Sequence, residues 1–182
     1  MKLEQSFEVT ATTHEIETRI AAFMQRNGYH PEAASKTSFT RGSWLGSLFA
    51  FSPRKWRVRA RVTQQQLASN HWSLKLALDI NDKGQIVTQH ERLYWKTELD
   101  QFQTAVQTGE TAAELLTRQD RAAARSGLTA FIAFLGTGLL VGLPVTLGIS
   151  LVNPQTGYLA IIIGTLCGFA AGLFAVRWYW RP

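Results

Sequence analysis

Apolar and polar positions repeat along this chain with different periods, and each period predicts an element. Ser6 to Ala11 alternate, the period of a strand with one buried face. From Thr12 the spacing lengthens, and Ile16, Ile20, Phe23 and Met24 form one stripe of a helix. Thr12 and Glu15 have the spacing of a capping box, in which each side chain satisfies an orphan backbone N–H. Asn27-Gly28 should stop that helix, because glycine enters the left-handed region at little cost. Lys36 to Arg41 reads as a strand contributing Phe39. Gly42 to Pro53 mixes large apolar side chains with small residues, as a buried turn of helix or an interfacial loop would. Arg54 to Val62 is the clearest strand, with Trp56, Val58, Ala60 and Val62 inward and Arg57, Arg59 and Arg61 outward.

Gln64-Gln65-Gln66 and Ala68-Ser69-Asn70 read as a loose connection. His71 to Ile80 then repeats the alternation with Trp72, Leu74, Leu76, Leu78 and Ile80 inward. Asn81 to Gly84 is a turn. Thr88 and Glu91 make a second capping box, opening a helix through Trp95, Leu99, Phe102 and Val106 to about Gln107, which Gly109 breaks. Thr111 and Glu114 make a third box, opening a helix that should run through Arg125. The order β-α-β-β-β-α predicts a two-layer α+β soluble domain over residues 1–108, then an amphipathic linker helix over 109–125.

Past Arg125 the pattern changes kind. Ser126 to Val176 contains no Asp, Glu, Lys, Arg or His, although the chain has 19 Lys+Arg and 13 Asp+Glu. Ser126 to Val152 exceeds the roughly 20 residues that cross a bilayer, with Pro144 as a point of bending. Asn153 to Gly157 is a turn, and Tyr158 to about Val176 is a second span. Arg177-Trp178-Tyr179-Trp180-Arg181 then matches an interfacial belt. Residues 126–182 are therefore expected to form a two-helix transmembrane hairpin. Gly138 and Gly142 in the first span, and Gly164, Gly168 and Gly172 in the second, recur every fourth residue. Ala130, Thr146 and Ser150 continue that spacing. Such stripes let helix backbones approach closely, either within the hairpin or against a neighbouring membrane protein.

The formal net charge of +6 changes its meaning once an anchor is expected. Nucleic acid is disfavoured as a partner, because Trp56 and Trp72 lie on the inward face rather than among the arginines. Anionic lipid headgroups become the nearer partner. Arg118, Arg121 and Arg125 precede the first span, Arg177 and Arg181 follow the second, and the turn between is uncharged. By the positive-inside bias both termini are expected in the cytoplasm of a multi-pass protein. Met1 to Phe7 lacks the apolar core of a secretory signal, so the C-terminal spans should direct insertion. The single cysteine, Cys167, allows no intramolecular disulfide.

The run from Phe39 to Trp56, with Tyr94-Trp95-Lys96-Thr97-Glu98 downstream, resembles uncharacterised bacterial membrane proteins of cyanobacterial type. Those proteins carry a soluble N-terminal domain and two C-terminal transmembrane helices. The resemblance covers mainly the soluble domain and implies a bacterial inner (plasma) or thylakoid membrane, without implying an activity or site residues.

Candidate chemistry is sparse. His14, His30, His71 and His90 show no metal-ligand spacing, no Gly-x-Ser-x-Gly elbow is present, and the glycines form no phosphate loop. Glu91, Glu98 and Asp100, set among Arg92 and Lys96, read as a solvated helix face. No catalytic, cofactor-binding or metal residues are assigned, and no cofactor is expected. The feature above background is a basic interaction face of Arg54, Lys55, Arg57, Arg59 and Arg61, which a solvated sheet partnered by Asp79 would also explain. The expected function is that of a non-enzymatic, membrane-anchored interaction protein. It would be an assembly or accessory factor of a membrane complex, facing anionic lipid or an acidic partner. The alternative is a small-ligand or lipid-binding module with an apolar pocket lined by Trp44, Phe49, Phe51 and Trp72.

Overall fold

Thr12 turns the chain from its first strand, β1 (Lys2–Thr10), into helix α1 (Thr13–Arg26). The Glu15 backbone N–H donates to the threonine hydroxyl at 3.3 Å, and the Glu15 carboxylate accepts from the Thr12 N–H at 2.9 Å. The computed structural model describes residues 1–33, 35–43, 51–82, 87–110, 113–152 and 157–179. Asn27 caps α1, and Gly28 at φ +77° redirects the chain. Strands β2 (His30–Glu32), β3 (Ser35–Arg41), β4 (Val58–Ala68) and β5 (His71–Ile80) follow, then helix α2 (Gln89–Thr108). The second capping box forms at Thr88 and Glu91, and Gly109 at φ +81° ends α2. The third box, at Thr111, lies outside the described residues.

The five strands form one antiparallel sheet in the order β1-β5-β4-β3-β2. Alternation decides its faces. Val58, Ala60 and Val62 of β4, with Leu74, Leu76, Leu78 and Ile80 of β5, are buried, as are Ile16, Ile20, Phe23 and Met24 of α1. Phe102 of α2 joins these layers, meeting Phe23 at 5.3 Å and Phe7 at 5.8 Å edge to face. The α+β domain followed by two long apolar helices is thus the architecture observed.

Several local expectations need correction. β2 is a strand that the polarity of His30 to Glu32 did not reveal, and Pro31 keeps it short. Gln64, Gln65 and Gln66 belong to β4, because its ladder with β5 continues to Ala68 and leaves only Ser69-Asn70 as the turn. Asn70 takes φ +58°, a left-handed conformation that asparagine tolerates in a turn. Arg54 and Lys55 are not in the strand. Pro53, with its fixed φ, opens a 3-10 turn over Pro53–Lys55, so β4 begins at Val58.

Two compact units divide the chain, Met1–Ala124 and Arg125–Pro182. Helix α3 (Ala113–Val152) starts within the first, where Leu116 joins the core, and it contains Pro144. Helix α4 is Gly157–Tyr179. The described helices Glu114–Val152 and Gly157–Ala175 are long and apolar enough to cross a membrane, with mean hydropathies of 2.0 and 2.1 over an 18-residue stretch of each. Their large side chains mostly point away from the chain, as with Leu140, which is 77% exposed.

Candidate functional site

Three arrangements of side chains stand out. The first is the uncovered face of the sheet. Strand alternation turns Arg57, Arg59 and Arg61 outward, all exposed, while Trp56, Val58, Ala60 and Val62 are buried beneath them. Arg59 Nε donates to Glu32 Oε1 at 2.8 Å and stands opposite Asp79 in the register. Arg61 faces Ala77 and Ser38 and makes no ion pair among the described residues. Arg57, Arg59 and Asp79 line a cleft of about 350 Å³ at the end of the sheet beside Met1.

Arg54 and Lys55 occupy the preceding turn instead. The Arg54 backbone N–H donates to Asp120 at 3.2 Å, where Ser52 also donates at 2.7 Å. Elsewhere on the face, Lys75 pairs with Glu4 at 2.5 Å and His71 with Glu8 at 3.0 Å. The outer face is therefore charge-mixed: Arg59, Lys75 and His71 meet acidic side chains, and Arg61 has no ion pair among the described residues.

The second arrangement was not anticipated from the sequence. Arg41 and Glu98 form a bidentate ion pair at 2.7 and 3.0 Å, with side chains 4% and 1% exposed. Arg41 also donates to the Asn27 carbonyl at 3.1 Å, and its guanidinium lies 4.3 Å from the Tyr29 ring centroid. Gly42 positions β3 for this. At φ +73° its Cα sits so close to the 3-10 turn that a Cβ would lie 2.6 Å from the Lys55 carbonyl. Burial disfavours the Arg41 cation, but Glu98, with Tyr29 and Tyr94 behind it, more than compensates and raises its pKa. Burial raises the pKa of Tyr29 well above the ordinary tyrosine range, Arg41 opposing and Glu98 assisting. Burial likewise raises Tyr94.

The solvated-face reading of α2 is therefore corrected. Asp100 is exposed, but Glu91 and Glu98 are each 1% exposed. The signal was their spacing: Glu91, Tyr94, Trp95, Glu98 and Phe102 lie on one stripe of α2. This bidentate pair ties α2 to β3, with both oxygens of the carboxylate engaged by the guanidinium.

The third arrangement is the seam between α3 and α4. A Cβ built on Gly138 would lie 3.2 Å from the Gly168 carbonyl, and one on Gly142 would lie 2.8 Å from that of Gly164. Gly168 abuts the Gly138 carbonyl, and a Cβ built on Gly172 would lie 2.7 Å from the Phe134 carbonyl. The glycines of the two stripes thus meet one another, allowing the close backbone approach that only glycine permits.

The alternative pocket does not assemble from the described residues. Trp44 and Phe49 lie outside them, and Trp72 stands opposite Gln66, at the other end of β5 from Ile80 and the turn that follows Phe51. Among the described residues no three metal-ligating side chains converge. No protein-family model, curated protein or solved structure matches this chain.

Proposed function

We propose that this chain is a membrane-anchored, non-enzymatic interaction protein, an assembly or accessory factor of a membrane complex, that presents the outer face of its sheet to an acidic partner or to anionic lipid. The observation carrying this reading is the uncovered sheet face, where Arg57, Arg59 and Arg61 project from a strand whose other side is sealed into the core. The sheet fixes the backbone beneath the three charges, so binding orders their side chains but not the chain that carries them. The apolar helices, with arginines on their flanks, support an anchor in a bacterial inner or thylakoid membrane with both termini cytoplasmic. Near an anionic surface each arginine contributes on the order of 1 kcal/mol. The attraction weakens with salt, since screening acts over about 8 Å at physiological ionic strength.

Capture of the full chain from membranes in mild detergent tests the reading. The wild type should retain a defined membrane complex, or bound anionic lipid, at low salt, and a variant with Arg57, Arg59 and Arg61 replaced by Gln should lose it. Equal retention by both sinks the basic-face role. Topology is checked in intact cells of a Cys167→Ser background: an external thiol reagent should label Gln155→Cys and miss Gln107→Cys. Labelling at Gln107 would overturn the cytoplasmic placement of the domain.

A further inference from the structure

A sheet edge that lacks a neighbour is a template for another strand, and most proteins guard such edges. Each outer edge of this sheet carries a feature that hinders pairing at one point. At β1, Gln107 of α2 donates to the Glu8 carbonyl at 3.0 Å. At β2, the strand is three residues long, contains Pro31, and shifts register beside it. The interior edge of β4 is different. Its ladder with β3 ends at the Ser38–Arg61 pair, whereas its ladder with β5 continues to Ala68. The backbone N–H of Thr37, next in line, donates to the Ser35 hydroxyl at 3.2 Å instead of extending the ladder.

Strand geometry shows which groups this leaves open. The Arg57 carbonyl accepts from the Asn81 N–H at 2.9 Å on the β5 side. Residues along a strand alternate in the side to which their backbone bonds point. Arg59, Arg61, Thr63 and Gln65 therefore bond toward β5, and Gln64 and Gln66 point their N–H and C=O groups the other way. No strand among the described residues receives them. Beside this edge lies a groove of about 940 Å³. Val62 and Gln64 form one wall, Ile20 and Ala21 of α1 the other, and Tyr29 and Phe39 close one end.

We propose that this groove binds an extended peptide segment of a partner protein by strand addition to β4. Among the described residues no strand pairs these backbone groups, and an extended backbone can replace the water on them at strand spacing, which makes it the occupant. Val62 to Gln66 accommodates about five residues, roughly 16 Å of strand. Charge sets its composition. Arg61, on the rim and without an ion pair among the described residues, selects a carboxylate on the segment's outward side. Glu17 on the helix wall excludes one from the inward side, where an apolar residue meets Ile20 and Ala21. The proposal deepens the interaction-protein reading by naming a partner chemistry. It shares Arg61 with the arginine face but otherwise rests on Val62 to Gln66 and α1, so Gln64→Pro and Ala21→Trp, which keep all three arginines, separate its failure from that of the capture assay.

The test uses the full chain in a mild non-ionic detergent and two dye-labelled, end-blocked pentapeptides, Glu-Val-Glu-Val-Glu and Lys-Val-Lys-Val-Lys. The wild type should bind the first and prefer it over the second, and Arg61→Glu should reverse that preference. Gln64→Pro removes an edge N–H without touching the β4–β5 ladder, and losing one such hydrogen bond should weaken binding about fivefold. Ala21→Trp, at an exposed position of α1, should block the groove and guards against misfolding of the proline variant. In the free protein the amides of Gln64 and Gln66 should exchange with solvent quickly and that of Gln65 slowly, all three slowing when peptide binds. Slow exchange at Gln64 in the free chain, no binding of either peptide, or the same preference in wild type and Arg61→Glu would each overturn the proposal.

Discussion

The sheet domain and the helical hairpin hold their elements together by opposite means. In the domain, the largest side chains are the most hidden: Trp56, Tyr94, Trp95, Phe23 and Phe102 are at most 1% exposed. In the hairpin, most large side chains are exposed, including Leu139 at 59% and Leu166 at 63%, and glycines make the closest approach, with Phe134 stacked edge to face on Phe169 beside them. Water drives the first arrangement, because burying apolar surface is favourable there. It offers no reason for the second. Glycine against glycine gains from close backbone contact, a force that persists where the surroundings are as apolar as leucine. Polar groups differ likewise. The domain buries a full ion pair between Arg41 and Glu98, whereas hydroxyls in the apolar helices bond to their own backbone, Thr146 to Gly142 at 2.9 Å and Thr165 to Ile161 at 2.7 Å.

The contrast predicts effects of graded size. The largest should come from Glu98→Ala, which leaves Arg41 buried without its carboxylate and should cost about 3–5 kcal/mol of domain stability in denaturant unfolding. Replacing both partners together, Arg41→Met with Glu98→Leu, should recover most of that loss. A cost under about 1 kcal/mol for Glu98→Ala would mean that the pair is dispensable and that apolar packing alone holds the domain. Next is Gly168→Leu. A side chain against the Gly138 carbonyl should separate α3 from α4 at a cost of about 1–3 kcal/mol, read as lost proximity between labels on the two helices. The domain's unfolding transition should not move. If it moves and the labels stay together, the seam is not where the hairpin is held.

A smaller effect concerns pH. Tyr29 and Tyr94 have folded-state pKa values raised by burial above the ordinary value of 10.0. The unfolded chain therefore ionises them first. Their contribution is fully present below pH 10 and is lost as pH rises above it toward the folded-state values. The unfolding midpoint should fall above pH 10, and in a Tyr158→Phe, Tyr179→Phe background tyrosinate absorbance should appear together with unfolding rather than before it. Tyrosinate absorbance at those residues in a folded chain would contradict their burial. The smallest effect should follow from changing Arg57, Arg59 and Arg61 to Gln, shifting domain stability by less than about 0.5 kcal/mol each. A larger loss would show that the ladder belongs to the fold and not to a surface.

Some of this was legible before any coordinates. The alternation from Trp56 to Val62 and from Trp72 to Ile80 is a local pattern, and the pleat of a strand converts it into two faces wherever that strand sits. Capping boxes at Thr12 and Thr88 act within one turn of backbone, so they survive any tertiary context. The same holds for the uncharged run after Arg125 and its glycine spacing, because length and period alone produce an apolar helix with a small-residue stripe. Pro53 also marks a break in the sequence, and its fixed φ places Arg54 and Lys55 in a turn before the strand.

Tertiary structure decided the rest, wherever an outcome depended on a partner distant in sequence. Glu98 lies on the apolar stripe of α2, but its charge argues for solvent until Arg41, 57 residues earlier, is found beside it. Gln64 and Gln66 look like loop residues because polarity reports exposure, and only the β5 ladder makes them a strand. The point at which β3 leaves β4, and with it the open edge, depends on pairing between segments that no local period encodes. Short-range sterics and hydrogen bonds act on neighbours in the chain and so can be read in order. Burial of a charge and the end of a ladder depend on what the fold brings alongside, and only the folded chain supplies that.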